Sequence, residues 1–338
     1  MVKRIKLSQL IEKIQNDKLT QQEAKEYFLI EQNAQQPFDF NTYINPEHVD
    51  VKNFESLARD ADLLVRNISP APSGRKKAIA RKKKTGHKIV AEGDSWFRLP
   101  PIPSVPNTCI DFLQTMGYPI KNLAHWGDTL GEILLAGEFW PYIDGGDDLL
   151  LFSAGGNDVL GGGQLATFLN LFDVDHAKPT DASYYLKKAF FDNLNIIISN
   201  IESALILPMA NRRANKKIIM HGYDYVIPRP SGAWLGGPMA YQGIDPTFNA
   251  GLCRAIIRLM IDAYNSKLKA LASKYSNTFV HLDLRGTVRA TEWWDELHGK
   301  DAAAIKIARK FATQIDSLKV SAKEATISKL YFPESKVA

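Results

Sequence analysis

The sequence predicts an α/β fold in which a parallel sheet is covered by helices on both faces. Three observations carry that prediction. Five short apolar runs, at 87–92, 119–124, 148–154, 216–221 and 278–283, read as strands. Stretches of helical periodicity lie between them, notably 186–206 and 251–275, and strands alternating with helices are the pattern of a parallel sheet. The chain of 338 residues, 45% apolar and 23% charged, is long enough for one large domain of this kind plus an appendage.

Taken in chain order, residues 7–35 show helical spacing, with Leu7, Leu10, Ile11 and Ile14 on one face. Thr20-Gln21-Gln22-Glu23 then fits a capping box, in which Thr20 accepts from first-turn amides and Glu23 reaches back. Residues 1–68 are therefore expected to form a small N-terminal helical module. Residues 69–86 hold Pro70, Pro72, Ser73 and Gly74 and read as a solvated linker. The five apolar runs lie in an expected main domain at 87–315, and 316–338 is left as a C-terminal tail.

The net charge of +5 is local, since Arg75, Lys76, Lys77, Arg81, Lys82, Lys83 and Lys84 sit within the linker and the remaining charges nearly balance. A basic run of this kind can bind an anionic patch. No aromatics interleave with it to stack on bases, so nucleic-acid binding is not expected. Two cysteines, Cys109 and Cys253, are too few for a disulfide framework. Glu12, Lys13, Gln15, Asn16 and Asp17 follow the basic start where a secretory leader would have its apolar segment. No uncharged apolar run reaches the length of a membrane helix, so no integral membrane segment and a cytoplasmic location are expected.

Ligand sites of open parallel sheets lie outside the carboxyl ends of the strands. Gly93-Asp94-Ser95 follows the first run, Trp126-Gly127-Asp128 the second, and Gly155-Gly156-Asn157-Asp158 the third. Asp295-Glu296-Leu297-His298 follows the fifth. A hydroxyl nucleophile needs a base within hydrogen-bond reach and a third group to orient that base. Ser95 supplies the hydroxyl and His298 the base, and a spacing of three lets Asp295 fold back onto the imidazole. The amides of Ser95 and Gly127 and the side-chain amide of Asn157 are the expected oxyanion donors. A Gly-Asp-Ser tripeptide arises by chance in roughly one chain in ten of this length, so alone it reads equally well as a strand-to-helix turn. Four such segments at four strand ends of one sheet are a different matter.

These four segments resemble the four conserved blocks of the SGNH (GDSL-type) hydrolases: Gly93-Asp94-Ser95, then 122–129 (NLAHWGDT), then Gly155-Gly156-Asn157-Asp158, then Asp295-Glu296-Leu297-His298. The resemblance spans about 87–312 and leaves the N-terminal module outside. It implies a flavodoxin-like three-layer α/β/α sandwich with a five-stranded sheet of order 2-1-3-4-5. It also implies that Ser95 and His298 are catalytic, that Asp295 orients His298, and that Ser95, Gly127 and Asn157 form the oxyanion hole. Two departures stand out: Trp96 where many members carry Leu, and Gly299 where Pro is frequent, which leaves that loop less constrained. The segment 223–250 is long and rich in Pro, Gly and aromatics, and suggests an added lid or rim.

Trp96, His125, Trp126 and Trp294 flank these blocks and are the expected walls of a substrate pocket, with core packing as the alternative for the tryptophans, Trp293 included. His281 inside a strand and His221 at a strand end are expected to be structural. Asp94, Asp158, His125 and His221 could together hold a metal, but no helical ligand pair supports that, and neither a metal nor an organic cofactor is expected. Gly161-Gly162-Gly163 lacks the Lys and Ser/Thr of a phosphate loop. The expected activity is hydrolysis of a small ester, a lipid or an acylated sugar, through an acyl-enzyme. A carbohydrate O-acetylesterase, a thioesterase, and a non-catalytic adaptor whose N-terminal module docks a protein partner remain as alternatives.

Overall fold

A computed structural model describes residues 4–15, 19, 23, 26–32, 40–50, 88–100, 105–213 and 215–331 of the chain. The linker, its basic run, and Thr20 of the capping box lie outside the described residues.

At the N-terminal end the helical expectation for 7–35 holds over Leu7–Gln15 and at Glu23, Glu26 and Tyr27, and fails from Phe28 onward. Ile5–Lys6 (β1) pairs in parallel with Val49–Asp50 (β4), while Phe28–Gln32 (β2) and Phe40–Ile44 (β3) form an antiparallel pair with Phe28 opposite Ile44. The N-terminal module is thus mixed rather than helical. Phe28 and Ile44 are both buried, and the aromatic and β-branched residues around them find cross-strand partners that local periodicity does not reveal.

The main body is a five-stranded parallel sheet: β5 (Ile89–Gly93), β6 (Ile120–Asn122), β7 (Leu149–Ser153), β8 (Lys217–Gly222) and β9 (Phe279–Asp283). Its order is β6-β5-β7-β8-β9, the 2-1-3-4-5 arrangement, with each strand within one or two residues of its expected run.

Alternation along these strands feeds two separate cores, because successive side chains point to opposite faces. Val90, Leu150, Phe152, Ile218 and Met220 face one side, against the helices Leu130–Ala136, Lys188–Arg212 and Pro246–Lys274. Ile89, Ala91, Leu149, Leu151 and Ile219 face the other, against Cys109–Thr115 and Asp301–Tyr331. Two helical layers enclosing one sheet make a three-layer α/β/α sandwich.

The last helix runs through the boundary expected at 315. Ile307, Phe311 and Ile315 are buried in the second core, and Tyr118 donates its hydroxyl hydrogen to Asp316 at 2.9 Å, so the helix runs through the expected boundary and continues to Tyr331. Lys188–Arg212 is the one helix among the described residues with the length and mean hydropathy, 1.2, of a membrane-crossing segment, which a search for uncharged runs does not single out. Phe190, Leu194, Ile197, Ile201, Leu205 and Met209 on it are buried in the first core, and a core helix passes the same test.

Candidate active site

The β5 end is shaped by one close approach. A Cβ on Gly93 would lie 2.4 Å from the Ser153 carbonyl oxygen on neighbouring β7, so only glycine lets the two strands stay paired here. Asp94 then starts a helical turn, its carbonyl accepting from the amides of Phe97 (3.0 Å) and Arg98 (3.2 Å), which lifts Ser95 off the strand end. The carboxylate of Asp94 is fully engaged behind the serine. Its Oδ1 accepts from Trp96 N (3.0 Å) and Ser153 Oγ (2.7 Å), and its Oδ2 accepts from the Tyr223 hydroxyl.

Ser153 in turn contacts His221 Nε2 at 2.8 Å. Because the Ser153 hydrogen goes to Asp94, the tautomer of His221 that satisfies the contact carries its proton on Nε2. Burial lowers the His221 pKa to about 4, so the ring is neutral near pH 7 and serves as a structural donor stacked on Trp96. His281 is likewise structural, its Nε2 2.9 Å from Asn265 Oδ1 and its pKa held at about 4 chiefly by burial.

The turn after β9 brings the base to the serine. His298 Nε2 lies 2.9 Å from Ser95 Oγ, across 203 residues of chain. Asp295 Oδ2 accepts from His298 Nδ1 at 2.7 Å, and its Oδ1 accepts from the amides of Leu297 (2.7 Å) and His298 (2.6 Å). The loop closes on itself through Trp294 N to His298 O, 2.8 Å, and a bridge between Trp293 and Gly299. Burial would raise the Asp295 carboxyl, but the hydrogen bond and charge of His298, with the two amides, outweigh it and hold the group below its ordinary value.

A carboxyl depressed on folding stabilises the native state fully above its unfolded pKa, near 4, and loses that contribution as pH falls through the lower folded value. Asp295→Asn is accordingly expected to lower the thermal midpoint at neutral pH, with the gap to the wild type closing in strong acid. Melting curves at a series of pH values check this, and a gap that persists unchanged into acid contradicts it.

Asn157 donates from Nδ2 to the Asp128 carbonyl at 2.8 Å, tying the third block to the second. The same amide carries a second hydrogen, and Asn157 lines a cavity together with Ser95 and His298. Gly127 adopts φ 86°, a left-handed conformation open to glycine at no steric cost, which turns the chain between His125 and Asp128. Tyr223, which sequence reasoning passed over, accepts from Gly156 N at 3.0 Å while donating to Asp94, so one phenol fixes the Gly155–Asn157 turn to the base of the serine turn.

That cavity, about 740 Å³ with its mouth included, is walled by Trp96 but not by His125, Trp126 or Trp294. His125 stacks on Trp126 at 4.2 Å beside Asp128, and Trp126 is buried in the first core. Trp294 sits with its ring 6.4 Å from that of His298 and is 37% exposed. Flanking one of these segments in sequence does not aim a side chain into the pocket, because the residue next to a turn points wherever the backbone there sends it. The four residues proposed as a metal set are not gathered: among the described residues no cluster of three or more His, Cys, Asp or Glu is arranged to hold an ion.

Glu296 is the larger omission. It is 2% exposed, and its two oxygens accept from four backbone amides of the segment 229–236: Arg229 (2.8 Å), Trp234 (2.9 Å), Leu235 (3.0 Å) and Gly236 (2.8 Å). A Cβ on Gly232 would come within 2.0 Å of the Glu296 carboxyl carbon, which is why the segment is glycine-rich here. Arg229 reinforces the grip by donating to the carbonyls of Trp293 (3.0 Å) and Trp294 (3.1 Å). The long insertion is fastened to the turn that carries His298, as a rim of the site. The only signal in the sequence is an acidic residue between Asp295 and His298, with nothing local to say what it holds.

No protein-family model matches the sequence, and no curated protein matches it. Among solved structures the chain is similar to an extracellular lipase from Streptomyces rimosus (15% identity, TM-score 0.40, covering 67% of this chain and 99% of that one). It is similar also to an acetylxylan esterase from Geobacillus stearothermophilus (17% identity, TM-score 0.41, 69% and 96% covered). A third is a member of the lipolytic G-D-S-L family from Veillonella parvula (14% identity, TM-score 0.37, 66% and 95% covered).

Proposed function

We propose that the chain is an ester hydrolase of the SGNH type, acting through an acyl-enzyme on Ser95. The observation that carries this reading is the continuous relay from Asp295 Oδ2 to His298 Nδ1 (2.7 Å) and from His298 Nε2 to Ser95 Oγ (2.9 Å), at the mouth of a cavity.

In this reading Ser95 Oγ attacks the ester carbonyl carbon as its proton passes to His298 Nε2, forming the Oγ–C bond. Asp295 keeps the imidazole in the tautomer with Nδ1 protonated and stabilises the imidazolium that forms. The backbone amides of Ser95 and Gly127 and the side-chain amide of Asn157 would donate to the developing oxyanion, the interaction that is usually the largest single contribution in this class of reaction. The C–O bond to the alcohol then breaks, and the leaving oxygen takes the proton from His298. Water attacks the acyl-enzyme, gives a proton to His298, and the acid departs as Ser95 Oγ recovers that proton.

A fluorophosphonate probe distinguishes this reading from a non-catalytic scaffold. The folded protein is expected to be labelled stoichiometrically at Ser95, as mapped by peptide mass spectrometry. Absence of label in folded protein, or label confined to another serine, refutes the assignment.

A further inference from the structure

Away from Ser95 and His298 the cavity wall changes character. Leu160, Phe190, Leu194, Leu235, Ile257 and Met260 form its body, brought in from the helices Asn157–Leu160, Lys188–Arg212 and Pro246–Lys274 and from the fastened rim. Phe190, Leu194, Leu235 and Ile257 are each no more than 3% exposed, so the space runs inward rather than across the surface. Two phenols reach it, but both hydroxyl hydrogens are committed: Tyr223 donates to Asp94, and Tyr264 donates to the Ala154 carbonyl at 2.7 Å. Nothing on the body of the wall would replace the water lost by a polar ligand. A buried hydroxyl left without a partner lowers affinity about fivefold or more.

A second, smaller cleft of about 320 Å³ also meets Ser95 and His298, where Asn107 and Thr108 join Leu99, Cys109, Ala304 and Ile307 in its lining. Two spaces of unequal size thus converge on one hydroxyl. The two halves of an ester also differ in what they need. The alcohol must take its proton from His298 and leave after the first half-reaction, whereas the acyl group stays attached to Ser95 through both. An apolar space with buried walls suits the half that stays.

We propose that the larger cavity is an acyl-chain site, so that the substrates are esters of unbranched fatty acids of medium or greater length, with the alcohol in the smaller cleft. This rests on Ser95 being the nucleophile. It disfavours an acetyl-specific enzyme, because an acetyl group would leave the apolar wall uncovered and gain none of its binding.

The experiment is a panel of p-nitrophenyl esters from acetyl through butyryl and octanoyl to dodecanoyl, run on the full chain. While a lengthening chain still covers new apolar wall, kcat/KM is expected to rise about fourfold for each methylene. Leu194→Trp and Met260→Trp, which fill the cavity from two different helices, are each expected to lower the octanoyl-to-acetyl ratio of kcat/KM by about tenfold or more. Reading a ratio within one protein removes the effect of a partly folded preparation. A flat or falling chain-length profile in the wild type overturns the proposal, as does an unchanged ratio in both variants. Each of those results requires turnover and so leaves the Ser95 reading standing; no turnover of any ester together with no fluorophosphonate label removes both.

Discussion

Replacing Ser95 by alanine is expected to lower kcat for ester hydrolysis by roughly 10⁴-fold or more while leaving the thermal midpoint close to that of the wild type. The rate falls because no other group in the relay can form the covalent bond. The fold is insensitive because the Ser95 hydroxyl bonds to the His298 ring and closes no structural network of its own. The polar scaffold behind it, Asp94 with Ser153, Tyr223 and Trp96 N, does not pass through that hydroxyl. His298→Ala is expected to lose nearly as much, and the double variant little more than either single one, since the two residues act as a unit and their losses do not add. Single-turnover and steady-state assays on a short aryl ester give the numbers. A Ser95→Ala protein that keeps a tenth of the wild-type rate would show that the nucleophile lies elsewhere.

The second large effect is on stability. Glu296→Gln replaces one carboxylate oxygen by an NH2 group, and each oxygen now accepts from two buried amides. Whichever way the new amide turns, two backbone donors of 229–236 face another donor. At about 1–3 kcal/mol for each buried group left unsatisfied, the loss is on the order of 4 kcal/mol, or roughly a 10 °C fall in midpoint for a domain of this size. Activity should fall with it even below the melting range, because the same carboxylate sits between Asp295 and His298 and fixes the turn that presents the imidazole. Differential scanning calorimetry and a chain-length panel on the same preparation separate the two effects. A midpoint within about 2 °C of the wild type would mean that the rim is held by other contacts and that Glu296 is not its clamp.

Much of this architecture is legible before any coordinates. The five runs of the parallel sheet lie within one or two residues of where apolar patterning puts them, most plainly at β7 (LLLFS), where every residue is buried and the apolar mark is nearly unbroken. The Asp295–His298 contact is legible for a related reason: three residues of separation span one turn, and a carboxylate there folds back on its own loop whatever the rest of the chain does. Where the sequence misleads, the deciding contacts are distant. Phe28–Gln32 carries a helical-looking pattern but pairs with Phe40–Ile44, and Trp126 and Trp294 flank the right blocks yet point away from the cavity.

By itself, then, the sequence determined the sheet, the strand end that carries Ser95, and the local pairing of Asp295 with His298. Only the tertiary structure decided that His298 meets Ser95 across 203 residues, that Glu296 fastens the 229–236 segment from 60 or more residues away, and that helices from three parts of the chain enclose an apolar space beside the nucleophile. Local sequence encodes periodicity and hydrogen bonds within a turn or two. Which helix faces meet, and what space they leave between them, depends on burial summed over the whole chain, and that sum has no local signature.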